Sequence, residues 1–299
     1  MKFLALLILV AACSSGQKKQ PRNSDAPVEV SRESFKKERA LKNSEIPDYY
    51  QAAVASQNPA LQDETLDRYS AEEISALADT TDPLVEISFR CSRGDYDRAF
   101  QVASKNFNRY QKVAAYWNQV ANCHLNQGNH RKALLFYNKA LEVKSNYVPA
   151  LNNIGVMYSR MNQDQKALVA FERANKASKF AKTPRYNLAK LYLTYGLAEP
   201  ALPIFKGLLG SSPDDQDLLK SVANSYFLLS DYQSASGYFQ KMNKALWSRP
   251  EVGLNFAVTL KKLGRTEDAR KIFSDVEKPK NPGLARYYTS VEKYLGDKL

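Results

Sequence analysis

Few side chains in this 299-residue sequence are histidines or cysteines, the types most often used in catalysis and metal binding. Their spacing matches few catalytic or metal-binding motifs. The sequence has three cysteines and two histidines, too few for most histidine-dependent metal sites and catalytic triads. Cys91 and Cys123 lie in neither a CxxC nor a zinc-like spacing. No GxSxG, HExxH, P-loop or Rossmann glycine pattern occurs, and the three SxxK matches have no SDN or KTG partner. We therefore expect a protein that is not an enzyme and that has no metal or cofactor.

Cys13 has a context unlike that of the other two cysteines. A positive start and ten apolar residues make 1–12 typical of a secretory signal, because a span of the bilayer takes about 20 residues. The residues VAAC, ending at Cys13, resemble the lipobox of bacterial lipoproteins. This resemblance implies cleavage before Cys13 and its acylation, with palmitate among the acyl groups. Ser14 in place of Asp implies an outer-membrane anchor facing the periplasm. The alternative is an ordinary signal peptide with an incidental cysteine.

Two segments separate this anchor from the rest of the sequence. Residues 13–30 comprise the lipidated cysteine and a stretch rich in Pro, Ser, Gln and charges, which is typical of a flexible tether. Residues 31–82 combine helix-prone stretches with interrupting prolines and carry no motif that we can assign. We expect helical or irregular structure in this region, and its role stays open.

A 34-residue period organises the sequence from residue 114 onwards. One column of the repeat holds small residues: Ala121, Gly155, Ala189, Ala223 and Ala257. A second column holds alanine, and an aromatic residue follows each alanine by four positions: Ala133, Ala167, Ala201, Ala235 and Ala269, then Tyr137, Phe171, Phe205, Phe239 and Phe273. Residues four apart share one helix face, and small residues let neighbouring helices approach closely. The pattern predicts an all-α chain of antiparallel helix pairs.

The motifs of these columns resemble the tetratricopeptide repeat (TPR). Two motifs carry the resemblance, one for each helix of a unit: Leu151-x2-Ile154-Gly155-x2-Tyr158 and Ala167-x3-Phe171-x2-Ala174. Glycines mark the turn between the two helices: Gly128, Gly196 and Gly264. The resemblance implies a right-handed superhelical α-solenoid with five regular units over 114–283. A degenerate unit over 83–113 precedes them, and a capping helix over 284–299 follows.

The resemblance also implies a binding surface, because TPR proteins bind peptides or partner proteins in a concave groove lined by first helices. Some members hold a C-terminal carboxylate with Lys, Asn, Asn, Lys and Arg from three successive first helices. Lys220, Asn224 and Asn255 match the first three positions, whereas Ala285 and Thr289 occupy the last two. The other groove candidates are an earlier amide pair and a cation: Asn122, Asn153 and Lys190. The interpretation that these asparagines are only local hydrogen-bonders of the repeat is favoured over the peptide-carboxylate site.

Three reactive side chains fall on predicted first helices. Cys91 and Cys123 lie in adjacent units, and an oxidising periplasm permits a disulfide between them. Because neighbouring helix axes are about 8–10 Å apart, we favour two buried free thiols over that disulfide. His124 stands where the repeat pattern has tyrosine, so we predict a core histidine rather than a catalyst.

The net charge of +12 is concentrated in the repeats. Residues 83–299 hold 33 basic and 18 acidic side chains, whereas residues 14–82 hold 9 and 13. A basic balance is common in nucleic-acid-binding proteins, but the export signal disfavours a nucleic-acid partner.

The sequence as a whole predicts a membrane-anchored periplasmic TPR scaffold. It would bind other envelope proteins or peptides during assembly of an envelope machine for pilus formation or secretion, motility, or outer-membrane biogenesis. Its lipobox, tether and repeats are similar in architecture to the pilotin-type lipoproteins of type IV pili. The alternative is a basic adaptor that binds an anionic polymer or a membrane surface. The oligomeric state stays open.

Overall fold

The computed structural model describes residues 82–296, and the regular elements of this range are helices. Thirteen of them have nine residues or more, and α3 has four. In chain order they are α1 (Pro83–Ser92), α2 (Tyr96–Lys105), α3 (Phe107–Tyr110), α4 (Ala114–Asn126), α5 (His130–Val143), α6 (Val148–Arg160), α7 (Asp164–Ala177), α8 (Lys182–Thr194), α9 (Ala198–Leu209), α10 (Gln216–Leu228), α11 (Tyr232–Lys241), α12 (Pro250–Lys262), α13 (Thr266–Ser274) and α14 (Pro282–Gly296). A short 3-10 turn, Lys244–Leu246, precedes α12. The predicted all-α solenoid is confirmed.

The helices form antiparallel pairs that stack one after another. The pair α1/α2 is followed by five pairs, α4/α5 to α12/α13, and by the single helix α14. Three residues join the two helices of each pair, and such a short connection makes neighbouring helices antiparallel. The first helices of successive units also contact one another, from α1 through α4, α6, α8, α10 and α12 to α14. We call this continuous row of helices the first-helix layer.

Each turn within a pair has a residue of positive φ at the same point of the 34-residue period. Four of these residues are glycines with φ between 75° and 77°: Gly94, Gly128, Gly196 and Gly264. The other two are Asn162, with φ of 57°, and Ser230, with φ of 61°. Glycine adopts this left-handed conformation freely and asparagine tolerates it, whereas serine is strained there. The turn geometry is therefore the same in all six described pairs, although only four of the turns have the glycine that predicts it.

The repeat columns build the core. All five alanines of the second column are fully buried: Ala133, Ala167, Ala201, Ala235 and Ala269. Four of the five aromatics that follow them are also fully buried, and Phe273 in the last unit is partly buried. Gly155 shows why the small-residue column is needed, because a Cβ built at this position would lie 2.5 Å from Cε1 of Phe171. The ring of the second helix fills the space that the first helix leaves empty.

Cys91 on α1 and Cys123 on α4 form a disulfide, so the prediction of two buried free thiols is wrong. Their Cα atoms are 5.1 Å apart. The separation of about 8–10 Å is that between helix axes, whereas a disulfide is limited by the distance between Cα atoms. Each Cα lies about 2.3 Å from its helix axis. Facing Cα atoms on packed helices are therefore about 4–5 Å apart, within disulfide range. The bond ties the degenerate first pair to the regular repeats.

Several predictions concern residues outside the described range. The signal over 1–12, Cys13, the tether over 13–30 and nearly all of 31–82 lie there, and they stay predictions. None of the helices within 82–296 has the length and apolar character that crossing a bilayer requires.

Candidate functional site

The predicted groove asparagines Asn122 and Asn153 meet inside the first-helix layer. Asn153 on α6 donates from Nδ2 to Oδ1 of Asn122 on α4, at 3.0 Å, and makes a longer contact of 3.3 Å with Oδ1 of Asn118. The hydroxyl of Tyr137 on α5 donates to the same Asn122 oxygen at 2.7 Å. Asn122 is 3% exposed and Asn153 is fully buried. These amides therefore join three helices of two adjacent units.

The amide network continues into the next unit through residues that sequence reasoning missed. Asn152 donates to Oδ1 of Asn153 at 3.1 Å, and Asn187 on α8 donates to Oδ1 of Asn152 at 2.8 Å. Both Asn152 and Asn187 are fully buried. A sequence signal existed, because Asn187 lies 34 residues after Asn153 and Asn152 lies 34 after Asn118. Periodic asparagines were visible, but their mutual bonding depends on how the units stack.

A second amide pair lies near the C-terminal end of the layer and contains the two clamp-like asparagines. Asn255 on α12 donates from Nδ2 to Oδ1 of Asn224 on α10 at 3.0 Å. Tyr287 on α14 donates its hydroxyl to Oδ1 of Asn255 at 2.8 Å. Asn255 is fully buried and Asn224 is 6% exposed. The pair joins the last two repeats to the terminal helix, so it has a structural role whether or not a peptide reaches it.

The two predicted groove lysines are electrostatic neighbours. Lys220 on α10 forms an ion pair with Asp217 one turn earlier, at 2.8 Å. Lys190 on α8 is partly buried, and this burial is the main cause that lowers its pKa to about 8. The positive charge of Lys220 lowers that pKa further, and the carboxylate of Asp217 opposes both effects. Two lysines and one aspartate from adjacent units therefore interact electrostatically, and we call this group of net positive charge the cationic cluster.

The last two positions of the family's carboxylate clamp carry no cation. They fall on Ala285 and Thr289 of α14, and the Thr289 hydroxyl donates to the carbonyl of Ala285 at 3.2 Å. The cations among the predicted groove residues are thus Lys190 and Lys220.

His124 lies in the core, as predicted. It is 8% exposed and its ring stacks between Phe100 and Phe136, with ring centroids 4.6 and 5.2 Å away. Burial is the main cause that lowers the His124 pKa, and Lys132 adds to it, while a hydrogen bond with Gln127 opposes them. The His124 Nδ1 atom has no hydrogen-bond partner in the described range. The side chain is a neutral aromatic filler between the first two pairs.

Acidic, cysteine and histidine side chains in the described range do not gather into a metal-like cluster. No group of three or more of them comes together within 82–296. What the first-helix layer offers chemically is instead a set of buried amides that bond to one another and one cationic cluster that is suited to binding an anionic group.

These features define a class of protein, the helical-repeat scaffold. Two segments of the chain match models of the tetratricopeptide repeat, residues 114–147 and residues 148–179. They correspond to the pairs α4/α5 and α6/α7. Residues 114–179 are therefore two tetratricopeptide repeats, and they lie within an α-solenoid of similar helix pairs.

Solved structures share this fold. YrrB, described as a TPR protein with an unusual peptide-binding site, aligns with a TM-score of 0.54 at 18% identity, covering 63% of this chain and 97% of that chain. The Cut9–Hcn1 hetero-tetramer of the APC/C aligns at 0.51 and 16%, covering 75% and 44%. MamA from Desulfovibrio magneticus RS-1 aligns at 0.50 and 14%, covering 62% and 97%. Identities this low show a common fold and nothing finer.

One curated relative also matches by sequence. The BBSome complex member BBS4 of Bos taurus is 26% identical over 144 residues. The match spans 48% of this chain but only 27% of that relative. The likeness is therefore confined to about a quarter of the relative's length.

Proposed function

We propose that this protein is a membrane-anchored periplasmic scaffold whose first-helix layer binds partner proteins or peptides. The binding point would be the cationic cluster, where Lys190 and Lys220 receive an acidic side chain or a C-terminal carboxylate. The observation that carries this proposal is the electrostatic interaction between lysines on two adjacent first helices, α8 and α10, with burial lowering the pKa of Lys190 to about 8.

The cluster favours an anionic ligand for a physical reason. A partly buried ammonium next to a second ammonium is destabilised by desolvation and by repulsion. A partner carboxylate between them relieves both effects and gains charge-assisted hydrogen bonds. Asp217 supplies one negative charge to the two lysines, so the cluster can accept another.

The buried amides support the same function indirectly. The networks around Asn153 and Asn255 hold successive first helices in fixed positions. A surface that is rigid before binding loses little conformational entropy when a partner docks. Two proteins of similar fold, a TPR protein with an unusual peptide-binding site and a hetero-tetrameric assembly, also accord with a binding role.

The proposed compartment depends on Cys13 and on the disulfide. The lipobox resemblance at Cys13 implies a lipid anchor, and a disulfide such as Cys91–Cys123 is typical of exported proteins in an oxidising compartment. We propose a role in assembling an envelope machine on this basis. Labelling cells with radioactive palmitate, in wild type and in Cys13→Ser, tests the anchor, and label in both proteins contradicts it.

The binding site is tested by titrating the full chain with a fluorescent octapeptide that ends in two glutamates and a free carboxylate. Lys220→Glu places a repelling charge in the cluster, and we expect at least a ten-fold loss of affinity. Lys271→Glu makes the same charge change on the exposed face of α13 and serves as the matched control. Equal affinities for the wild type and Lys220→Glu contradict the proposal, as does an equal loss in both variants.

A further inference from the structure

Large exposed hydrophobic side chains concentrate at the junctions between repeat units. Among residues 82–296, five such side chains are exposed, and four of them stand where a second helix ends and the next unit begins. These four are Phe107 at 41% exposure, Val113 at 37%, Val143 at 41% and Phe180 at 91%. The fifth, Leu135, lies in the middle of α5. Phe180 stands out, because its ring is almost wholly in solvent.

The topology brings these junctions to one edge of the solenoid. The first helices of all units run in the same direction, so every second helix ends at the edge where first helices begin. The positive-φ turns lie along the opposite edge. The three junctions over residues 105–113, 143–147 and 176–185 therefore follow one another along a single edge, which we call the junction edge.

The junction edge is basic as well as apolar. Residues 105–113 contain Lys105, Arg109 and Lys112 and no acidic residue. Residues 176–185 contain three lysines and an arginine and again no acidic residue, and Lys179 and Lys182 flank the Phe180 tip. Both of these lysines are exposed, and neither forms an ion pair within the described part of the chain.

The fourth junction has neither the basic nor the large apolar side chains of the first three. Residues 210–215, GSSPDD, carry two acidic residues, no cation and no large apolar side chain. The fifth junction, residues 241–249, is basic again, but its large apolar side chains are buried or partly buried. Exposed apolar side chains next to cations are thus a property of the first three junctions and not of junctions in general. If the repeat fold required basic and exposed apolar side chains at its junctions, every junction would have them.

We propose that the junction edge binds the surface of a bilayer that contains anionic phospholipids, with Phe180 inserted among the headgroups. Lysines near an anionic leaflet are attracted to it, and an aromatic ring at a loop tip gains by leaving water for the interface. A soluble polyanion would engage the lysines but would leave the Phe180 ring in water. This contact goes beyond the proposed binding of partner proteins, because it uses an edge of the solenoid rather than the first-helix layer.

The test measures sedimentation of the full chain with vesicles of phosphatidylcholine alone or with about one third phosphatidylglycerol. Lys179→Gln/Lys182→Gln removes two surface lysines, and we expect roughly a thirty-fold loss of affinity for the anionic vesicles. Lys278→Gln/Lys280→Gln is the matched control, because it removes two exposed lysines from the junction after α13. All variants share the same N-terminal residues, so any membrane binding by that segment is common to every arm.

A second arm tests the aromatic tip. Phe180→Ser should also weaken binding to the anionic vesicles, whereas Leu135→Ser, at an exposed site away from the junction edge, should not. In Phe180→Trp, the fluorescence difference from wild type should shift to the blue with anionic vesicles and stay unshifted with heparin. Equal losses in the two lysine pairs overturn the proposal. So does unchanged vesicle binding by Phe180→Ser, which would leave a purely ionic surface for a soluble polyanion.

Discussion

Asn153 donates a hydrogen bond to Asn122 at 3.0 Å, and Asn255 donates the same bond to Asn224 three 34-residue repeats later, also at 3.0 Å. A tyrosine hydroxyl also bonds to one amide of each pair: Tyr137 donates to Asn122 in the first, and Tyr287 donates to Asn255 in the second. The repeat therefore conserves its geometry for a buried polar contact as well as for its apolar columns. The contact joins first helices of adjacent units and so stabilises the solenoid along its length.

Removing one of these amides should destabilise the fold. Asn153→Ala removes one of the two bonds that Oδ1 of Asn122 accepts and the bond that Nδ2 of the buried Asn152 donates. We expect a loss of about 1–3 kcal/mol in the free energy of unfolding. Urea denaturation followed by circular dichroism measures it. Asn138→Ala, on the exposed face of α5, is the control and should change stability little. Equal stabilities of Asn153→Ala and the wild type would show that the amide is not structural.

The close approach of Gly155 to Phe171 predicts opposite effects for one substitution at two glycines. Gly155→Ala forces its Cβ against the buried ring and should cost about 1–3 kcal/mol of stability. At Gly237, on the exposed face of α11, an added Cβ has no neighbouring atom within 4 Å. Gly237→Ala should therefore stabilise the fold by up to about 1 kcal/mol, because alanine favours helix. Thermal melts of the two variants should therefore move in opposite directions. A shift in the same direction would refute the packing account.

The disulfide should stabilise the N-terminal end of the repeats. Cys91 and Cys123 are separated by 32 residues, and closing a loop of this length is worth about 3–4 kcal/mol in the chain-entropy model. Cys91→Ser/Cys123→Ser should therefore unfold at lower urea concentration than the oxidised wild type. The wild type measured in excess reductant is the matched comparison and should lose a similar amount. A midpoint that is insensitive to reductant would be incompatible with the bond.

His124 should make stability depend on pH. Its folded-state pKa lies below the usual value of 6.5, mainly because of burial, so the unfolded chain takes up a proton more readily. The contribution of the neutral ring is complete above pH 6.5 and is lost as the pH falls through the folded-state pKa. His124→Phe keeps the aromatic stack and removes the proton, so its stability should fall less between pH 7 and pH 5. Identical pH profiles for the two proteins would contradict this role.

The fold was predictable because its determinants are local and periodic. The columns that contain Ala167 and Phe171 indicate a helix packing that recurs in every unit. Glycine at the turn indicates a left-handed backbone conformation. Asn162 and Ser230 carry the same turn without that glycine, because the packed helices on either side impose the geometry. Sequence alone missed these turns, since neither residue type requires a positive φ.

The site was less predictable because it depends on distances between units. The interpretation of Asn122 and Asn153 as hydrogen-bonders of the repeat was the favoured one, and the structure buries both side chains against each other. Their partners lie in neighbouring units, which the sequence does not identify. The disulfide was misjudged for a similar reason, since it depends on whether Cys91 on α1 faces Cys123 on α4. The properties of the lysine cluster also depend on the burial of Lys190, which the spacing of residues in the sequence does not reveal.

The central claim, that Lys190 and Lys220 receive an acidic group, is tested most directly by the pH dependence of binding. With a pKa of about 8, Lys190 loses its charge between pH 7 and pH 9, and losing a charge-assisted contact costs about ten-fold in affinity. Fluorescence titrations with the N-acetylated octapeptide should show this decline for the wild type. Lys190→Arg, which stays charged over this range, should bind with nearly constant affinity. A flat wild-type profile, or the same decline in Lys190→Arg, would contradict the account.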